Sequence, residues 1–344
     1  MKHLDSSKYS FDRPVIIVAA PRSGSTMLFE TLTRAQQFWT VGGESHMLFE
    51  HIEKLSPAHG LCESNRLTGD DADADVVNRI RNAFLGQLRD RNQTPFNQLE
   101  EPAAGLPRLL EKTPKNALRI PFLNSIFPDA RYIYLFRDPR QNLSSIIEGW
   151  RSQRFVTYAN LPHWPGRWSF LLPPEYGKMR ATSLEEIAAF QWRVANQTVL
   201  NDLGQMPADR WTAVSYADLV TNAGPTIERL CEFADIEYDQ ELKDYCEAAL
   251  PLSRYTQSAP DADKWRSNEQ MIARVVPGLR DVIEQIDSAV ATHTSTLALQ
   301  TGDLDADAEE RPVAEPQVQQ QLSRNAPCFC ESGLRFKHCH GAIE

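Results

Sequence analysis

The sequence lacks any surplus of basic residues. Its 36 Lys and Arg stand against 46 Asp and Glu, a net charge of −10. That argues against a general nucleic-acid coat, which needs a basic footprint, but a few focused cations can still hold an anionic ligand. Long apolar runs are missing as well. Val15–Ala20 falls far short of the roughly 18 residues of a membrane helix, and the opening MKHLDSSKYSFDR holds no apolar stretch of signal-peptide length. The expectation is a soluble, cytoplasmic protein with no membrane span. No repeat of solenoid period occurs. Cysteine is scarce: Cys62, Cys231 and Cys246 are scattered, while Cys328, Cys330 and Cys339 crowd the last 17 residues. What is present is globular composition, 42% apolar and 24% charged, which excludes wholesale disorder and fibrous repeats. At roughly 150 residues per domain, 344 residues make about two domains, or one large domain with a small appendage.

Four short apolar runs, Pro14–Ala20, Arg108–Glu111, Tyr132–Phe136 and Trp211–Ser215, read as buried parallel strands. Helical patterns follow from near Gly24, Asn116, Pro139 and Pro225. This alternation predicts an α/β fold, a parallel sheet flanked by helices, with the ligand beyond the carboxyl ends of the strands. An acidic, mostly helical insertion is expected over about 45–105. Residues 151–180 are rich in Trp, Pro, Arg and Tyr without a period, and a long loop of this kind reads as functional. Trp150, Trp164, Trp168 and Tyr176 are the expected wall of an acceptor site. Leu184, Ala188, Trp192, Ala195, Val199 and Leu203 form a helical core stripe. A further helical stretch after Asn268 should break at Pro277-Gly278. Residues 1–299 are taken as the main domain, 300–322 as an acidic and Gln-rich linker, and 323–344 as a Cys/His module.

The turn Pro21-Arg22-Ser23-Gly24-Ser25-Thr26 sits between the first strand and an apolar helix. Such a turn aims consecutive backbone N–H groups, and the positive end of a helix dipole, at one anion. It is no Walker A loop, because the Gly-Lys-[Ser/Thr] that reaches the terminal phosphates of a nucleoside triphosphate is missing. Arg22 supplies a cation at the start of the loop instead. Arg137-Asp138-Pro139 ends a strand and starts a helix with an N-cap and a first-turn proline. Ser145 follows two turns in, on the face that looks back at Arg137, with Ser144 as the less favoured neighbour and Arg140 as a further nearby charge.

These two segments resemble the phosphosulfate and 3′-phosphate motifs of the sulfotransferase superfamily, which uses 3′-phosphoadenosine-5′-phosphosulfate (PAPS) and releases 3′-phosphoadenosine-5′-phosphate (PAP). The resemblance covers residues of about 13–290 and is nearest to the bacterial and tyrosylprotein branch. It implies a P-loop-like fold and sulfuryl transfer to a hydroxyl or amine of a small molecule, glycan or peptide. It assigns nucleotide binding to Arg22, Ser23, Gly24, Ser25, Thr26, Arg137 and Ser145. Lys264-Trp265-Arg266 is similar to the late segment that closes over the nucleotide, and Tyr216-Ala217-Asp218-Leu219 to a segment that is mainly scaffold. Gly43-Glu44, with Glu44 standing 22 residues after Arg22, resembles the branch's Gly-Glu pair and makes Glu44 the expected general base. His46 is the alternative. Lys112-Thr113-Pro114 resembles a segment whose Lys meets the transferring group, so Lys112 and Arg22 are expected to stabilise the developing charge.

The terminal Cys328-x-Cys330, followed after eight residues by Cys339-His340, resembles the SEC-C motif at the end of the SecA translocation ATPase. That likeness implies a structural Zn2+ held by Cys328, Cys330, Cys339 and His340, with His338 the competing imidazole and disulfides the alternative chemistry. A docking role toward a protein partner follows by the same analogy. Two rival functions stand beside the transferase: a P-loop nucleotide kinase or NTPase, and a non-catalytic nucleotide-fold protein acting through its zinc module.

Overall fold

The structure, a computed structural model, describes residues 10–59, 63–98, 106–162, 164–247, 250–251, 253, 262–294 and 296. The linker and the Cys/His module, with Cys328, Cys330, Cys339 and His340, lie outside the described residues, as does Cys62.

Five strands form one parallel sheet. They are β1 (Val15–Val18), β2 (Phe38–Trp39), β3 (Arg108–Lys112), β4 (Arg131–Phe136) and, numbered after the hairpin strands below, β7 (Trp211–Ser215), in the order β2-β3-β1-β4-β7. The apolar runs become strands because both sheet faces are covered, so every β1 residue is buried. Side-chain alternation then divides each strand between two cores. Ile16 and Val18 join Tyr132, Tyr134 and Phe136 on one face, while Val15 and Ile17 join Ile133 and Leu135 on the other.

The helices are α1 (Ser25–Leu32), α2 (His46–Glu50), α3 (Ala74–Gln87), α4 (Ile120–Ile126), α5 (Pro139–Ser152), α6 (Leu184–Leu203), α7 (Tyr216–Thr221), α8 (Ala223–Ala234), α9 (Gln240–Glu247), α10 (Glu269–Val275) and α11 (Arg280–Val290). Those on the larger core include α3 to α6, α10 and α11; α1, α8 and α9 close the smaller one. Local chemistry sets the boundaries. Asp138 accepts from the backbone N–H groups of Arg140 and Gln141 at the start of α5, and a Ser183/Glu186 capping box opens α6. The helix expected near Asn116 is two pieces: a 3-10 turn over Pro114–Leu118, then α4 with Pro121 in its first turn. Pro277 and Gly278 fall in a 3-10 turn between α10 and α11, so the expected break is real.

The segment 151–180 differs most from expectation. It holds an antiparallel pair, β5 (Val156–Tyr158) and β6 (Trp168–Ser169). Trp150, Trp164 and Trp168 are buried and pack edge-to-face on one another, with Tyr176 against Trp164 and Trp168. Two of the three indoles are tied inward by their N–H groups: Trp150 Nε1 donates to Gln191 Oε1 (2.8 Å) and Trp168 Nε1 to the Leu171 carbonyl (2.9 Å). The three tryptophans are core residues that seat the hairpin on α5 and α6, and neither they nor Tyr176 line the cavity at the strand ends described below. Large aromatic area favours burial, enough here to bury Trp164 although its Nε1 has no hydrogen-bond partner.

Among the described residues, no helix is long and apolar enough to cross a membrane.

Candidate active site

All five strands run in one direction, so the turns after β1, β3, β4 and β7 open on the same edge. A cavity of about 400 Å³ lies there. Its floor is the turn into α1. Gly24 adopts φ +101°, and a Cβ there would come within 2.4 Å of the Tyr216 ring, so only glycine fits. Arg22 also holds a left-handed backbone, φ 66°. The first turn of α1 carries no acidic residue, and Ser25 and Thr26 line the cavity. Ser23 uses its side chain elsewhere. It is buried, with its hydroxyl 2.9 Å from both the Ala20 carbonyl and Asn142 Oδ1, while Asn142 Nδ2 donates to the Pro21 carbonyl (2.7 Å). Its side chain therefore clamps the loop to α5, which leaves the backbone as its means of meeting an anion.

Arg137 leaves the end of β4 and lies over the Tyr216 ring, 4.3 Å from its centroid. Its Nη1 donates to the Arg22 carbonyl (3.2 Å) and its Nε to Gln141 Oε1 (3.2 Å). Arg22 Nε donates to Ser145 Oγ (3.3 Å). Arg22, Arg137 and Ser145 thus meet in one place and line the cavity together. Burial, and then the charge of Arg137, pull Arg22 down to about 10, and burial lowers Arg137 as well. Both guanidiniums are largely withdrawn from solvent and close to one another, a setting that favours a bound anion. Ser144 instead accepts from Asn268 Nδ2 (2.9 Å).

Lys264 and Trp265 close another side. Lys264 Nζ donates to Glu148 Oε2 (2.9 Å), and Trp265 has Arg140 at 5.0 Å from its ring centroid. Arg266 lies over the Trp265 ring, also 5.0 Å from its centroid. It is 57% exposed, pairs with Asp263 and Glu269, and does not itself line the cavity.

Glu44 and His46 face the loop from the start of α2. Glu44 Oε1 accepts from Lys112 Nζ (2.9 Å), and its Oε2 lies 3.8 Å from His46 Nδ1. Burial lowers His46, with Lys115 adding to it. Lys112 is only 2% exposed and donates to Thr26 Oγ1 (3.2 Å) as well. It stands behind the wall rather than in it, and reaches the cavity through Glu44 and Thr26. The neighbours of Lys112 in β3 hold the same segment. Thr113 Oγ1 accepts from the Ser45 N–H (2.8 Å), and the buried Glu111 carboxyl, pushed up by desolvation, accepts from Ser45 Oγ (2.6 Å).

Sequence reasoning missed a second charged group in the wall. Lys115 Nζ donates to Glu50 Oε1 (2.6 Å) and to the Tyr158 hydroxyl (2.9 Å), and Arg119 Nη2 also donates to Glu50 (3.2 Å). Burial lowers Lys115 to about 8. Beyond it the wall is apolar: Met47, Phe155, Val156, Phe170 and Leu171.

A family model described as "Sulfotransferase family" matches residues 14–240, and one described as "SEC-C motif" matches 324–342. Among curated proteins, SecA translocase subunits match: that of Brachyspira hyodysenteriae at 37% identity over 76 residues, covering 21% of this chain and 8% of that protein, and that of Pseudomonas putida F1 at 41% over 69 residues, covering 19% and 8%. The chain thus spans less than a tenth of the length of those relatives. Among solved structures, the sulfotransferase domain from the curacin biosynthetic pathway is 19% identical, covering 78% of this chain and 99% of that one, with a TM-score of 0.44. The sulfotransferase from Alicyclobacillus acidocaldarius is 12% identical, covering 82% and 97%, at 0.45. A mouse sulfotransferase complexed with PAP is 12% identical, covering 85% and 94%, at 0.40.

Proposed function

The chain belongs to the sulfotransferase family, and from that premise we propose that it moves a sulfuryl group from PAPS to a hydroxyl or amine of a small-molecule, glycan or peptide acceptor. One observation carries the reading: a single cavity at the strand ends gathers the α1 turn, Arg22, Arg137, Ser145 and Glu44. PAPS, when bound, supplies the sulfuryl group and a stabilised leaving phosphate. The amides of residues 23–26 and the Ser25 and Thr26 hydroxyls hold the 5′ side, with Arg22 stabilising charge there. Arg137 and Ser145 take the 3′-phosphate by a planar fork and a neutral donor. Trp265 and Lys264 flank the nucleotide. Glu44 accepts the acceptor's proton, within the 2.6–3.2 Å reach that such transfer needs in a productive complex. Lys112 orients that carboxylate and Thr26, and so acts as a positioning residue.

We also read residues 1–299 as the transferase domain, 300–322 as a linker, and 323–344 as a zinc-held module. Three thiols and an imidazole, Cys328, Cys330, Cys339 and His340, are the donor set that suits a closed tetrahedral Zn2+. The zinc would supply folding energy to a segment too short for a core of its own and leave it free to dock a protein partner.

Competition binding tests the donor. PAP should displace a labelled nucleotide far better than ADP or ATP, and the opposite order would favour a nucleotide kinase. Radiolabelled sulfate from PAPS should then enter a product in host extract; transfer to nothing would favour a non-catalytic role. Metal analysis of the purified chain before and after chelation reads the zinc.

A further inference from the structure

Two cavity-wall residues other than glycine hold left-handed backbone, Arg22 (φ 66°) and Phe170 (φ 67°). A residue with a side chain stays there only when its surroundings fix it. The two are joined through one ring. The Arg22 guanidinium carbon lies 4.5 Å from the centroid of Phe155. Phe155 stacks on Phe170 at 5.2 Å with 23° between the planes. The backbone keeps that pair in register: the Phe170 N–H donates to the Phe155 carbonyl (3.0 Å), and Thr157 Oγ1 donates to the Phe170 carbonyl (2.5 Å).

The rings rest on Gly149 of α5. A Cβ there would come within 2.3 Å of the Phe170 ring and 3.4 Å of Phe155. Gly149 lies one helical turn beyond Ser145, the hydroxyl that accepts from Arg22 Nε. Helix α5 therefore presents to Arg22 a hydroxyl at one turn and, at the next, a gap into which the hairpin inserts an aromatic face. A ring face attracts a guanidinium without using its N–H donors. The ring meets Arg22 where the like charge of Arg137 is close by.

We propose that Phe155, backed by Phe170 on Gly149, is a positioning residue that holds the Arg22 guanidinium toward the 5′ end of the nucleotide. The inference rests on the reading of the cavity as a PAPS site. It makes the hairpin, whose Val156, Thr157 and Leu171 line the same cavity, part of the donor site.

Calorimetric titration of PAP and of adenosine 3′-monophosphate onto the full chain tests this, in wild type, Phe155→Leu, Arg22→Ala and the double variant. Phe155→Leu is expected to weaken PAP about three- to tenfold, to leave adenosine 3′-monophosphate unchanged, and to add nothing in the Arg22→Ala background. Phe155→Tyr should restore PAP affinity. An equal loss for both nucleotides, or the same loss with and without Arg22, overturns the proposal while the PAPS reading stands. Wild-type chain that binds no PAP overturns the PAPS reading and this inference together. Should Phe155→Leu fail to fold, Gly149→Ala takes its place, because it displaces Phe170 from behind and should give the same selective loss.

Discussion

On the donor side of the cavity, the loop groups sit within a few residues of a strand end: Arg22 and Gly24 after β1, Glu44 between β2 and α2, Arg137 after β4. On the hairpin side, the wall is assembled from residues whose partners are far away in the chain. Lys115 meets Glu50 across 65 residues and the Tyr158 hydroxyl across 43. Local turn geometry and helix caps thus place the donor-side residues, and such turns recur as motifs, even though the residues then meet across the chain, as Arg22 and Ser145 do over 123 residues. The hairpin side is a packing solution, and its shape follows from which large side chains the core absorbs. One fold can keep the first constant while the second is rebuilt around a different acceptor.

The contrast breaks most visibly at Trp168. If it were a ligand wall, Trp168→Ala would change acceptor KM and spare stability. As a buried core residue it should instead cost about 3–5 kcal/mol, read as a shift in denaturant midpoint, with PAP affinity retained in the folded fraction. Glu44→Gln comes next, with an expected fall in kcat of about a few hundredfold and no change in PAP affinity; a matching loss of PAP binding would make Glu44 part of the donor grip rather than the proton acceptor. Arg22→Ala should cut turnover about a hundredfold and weaken PAP as well. Near-normal turnover would remove Arg22 from the transfer step.

The same contrast explains how far the sequence alone could be read. β1, β3, β4 and β7 were legible because parallel strands buried on both faces leave unbroken apolar runs. β2 was not, because two residues, Phe38 and Trp39, carry no period. Gly24 and Asp138-Pro139 were legible because a left-handed turn and a helix start each demand particular residue types within a few positions. A motif names residues such as Ser23 and Arg266, whereas the orientation of their side chains depends on neighbours such as Asn142 and Asp263. Gly149 illustrates the limit. A glycine inside α5 signals a close approach, but nothing near it in the chain says that the approach is made by Phe170.

Lys115 offers the finest test of the hairpin side. Its ammonium is buried between Glu50 and Tyr158, and burial outweighs the nearby carboxylate, so its folded value falls from 10.5 to about 8. Between pH 8 and 10.5 the unfolded chain then holds a proton that the folded chain has released. Stability contributed by this group must rise with pH across that window and lie at its lowest below pH 8. Lys115→Met removes the proton from both states. Subtracting the variant's stability curve from that of wild type should therefore leave a positive slope of at most about 1.4 kcal/mol per pH unit above pH 8, and a flat line below it. A flat difference throughout would mean that Glu50 holds Lys115 charged as firmly as water does. A negative slope would mean that the pair raises Lys115, and that the hairpin wall is held by its ion pair rather than by the packing that desolvates it.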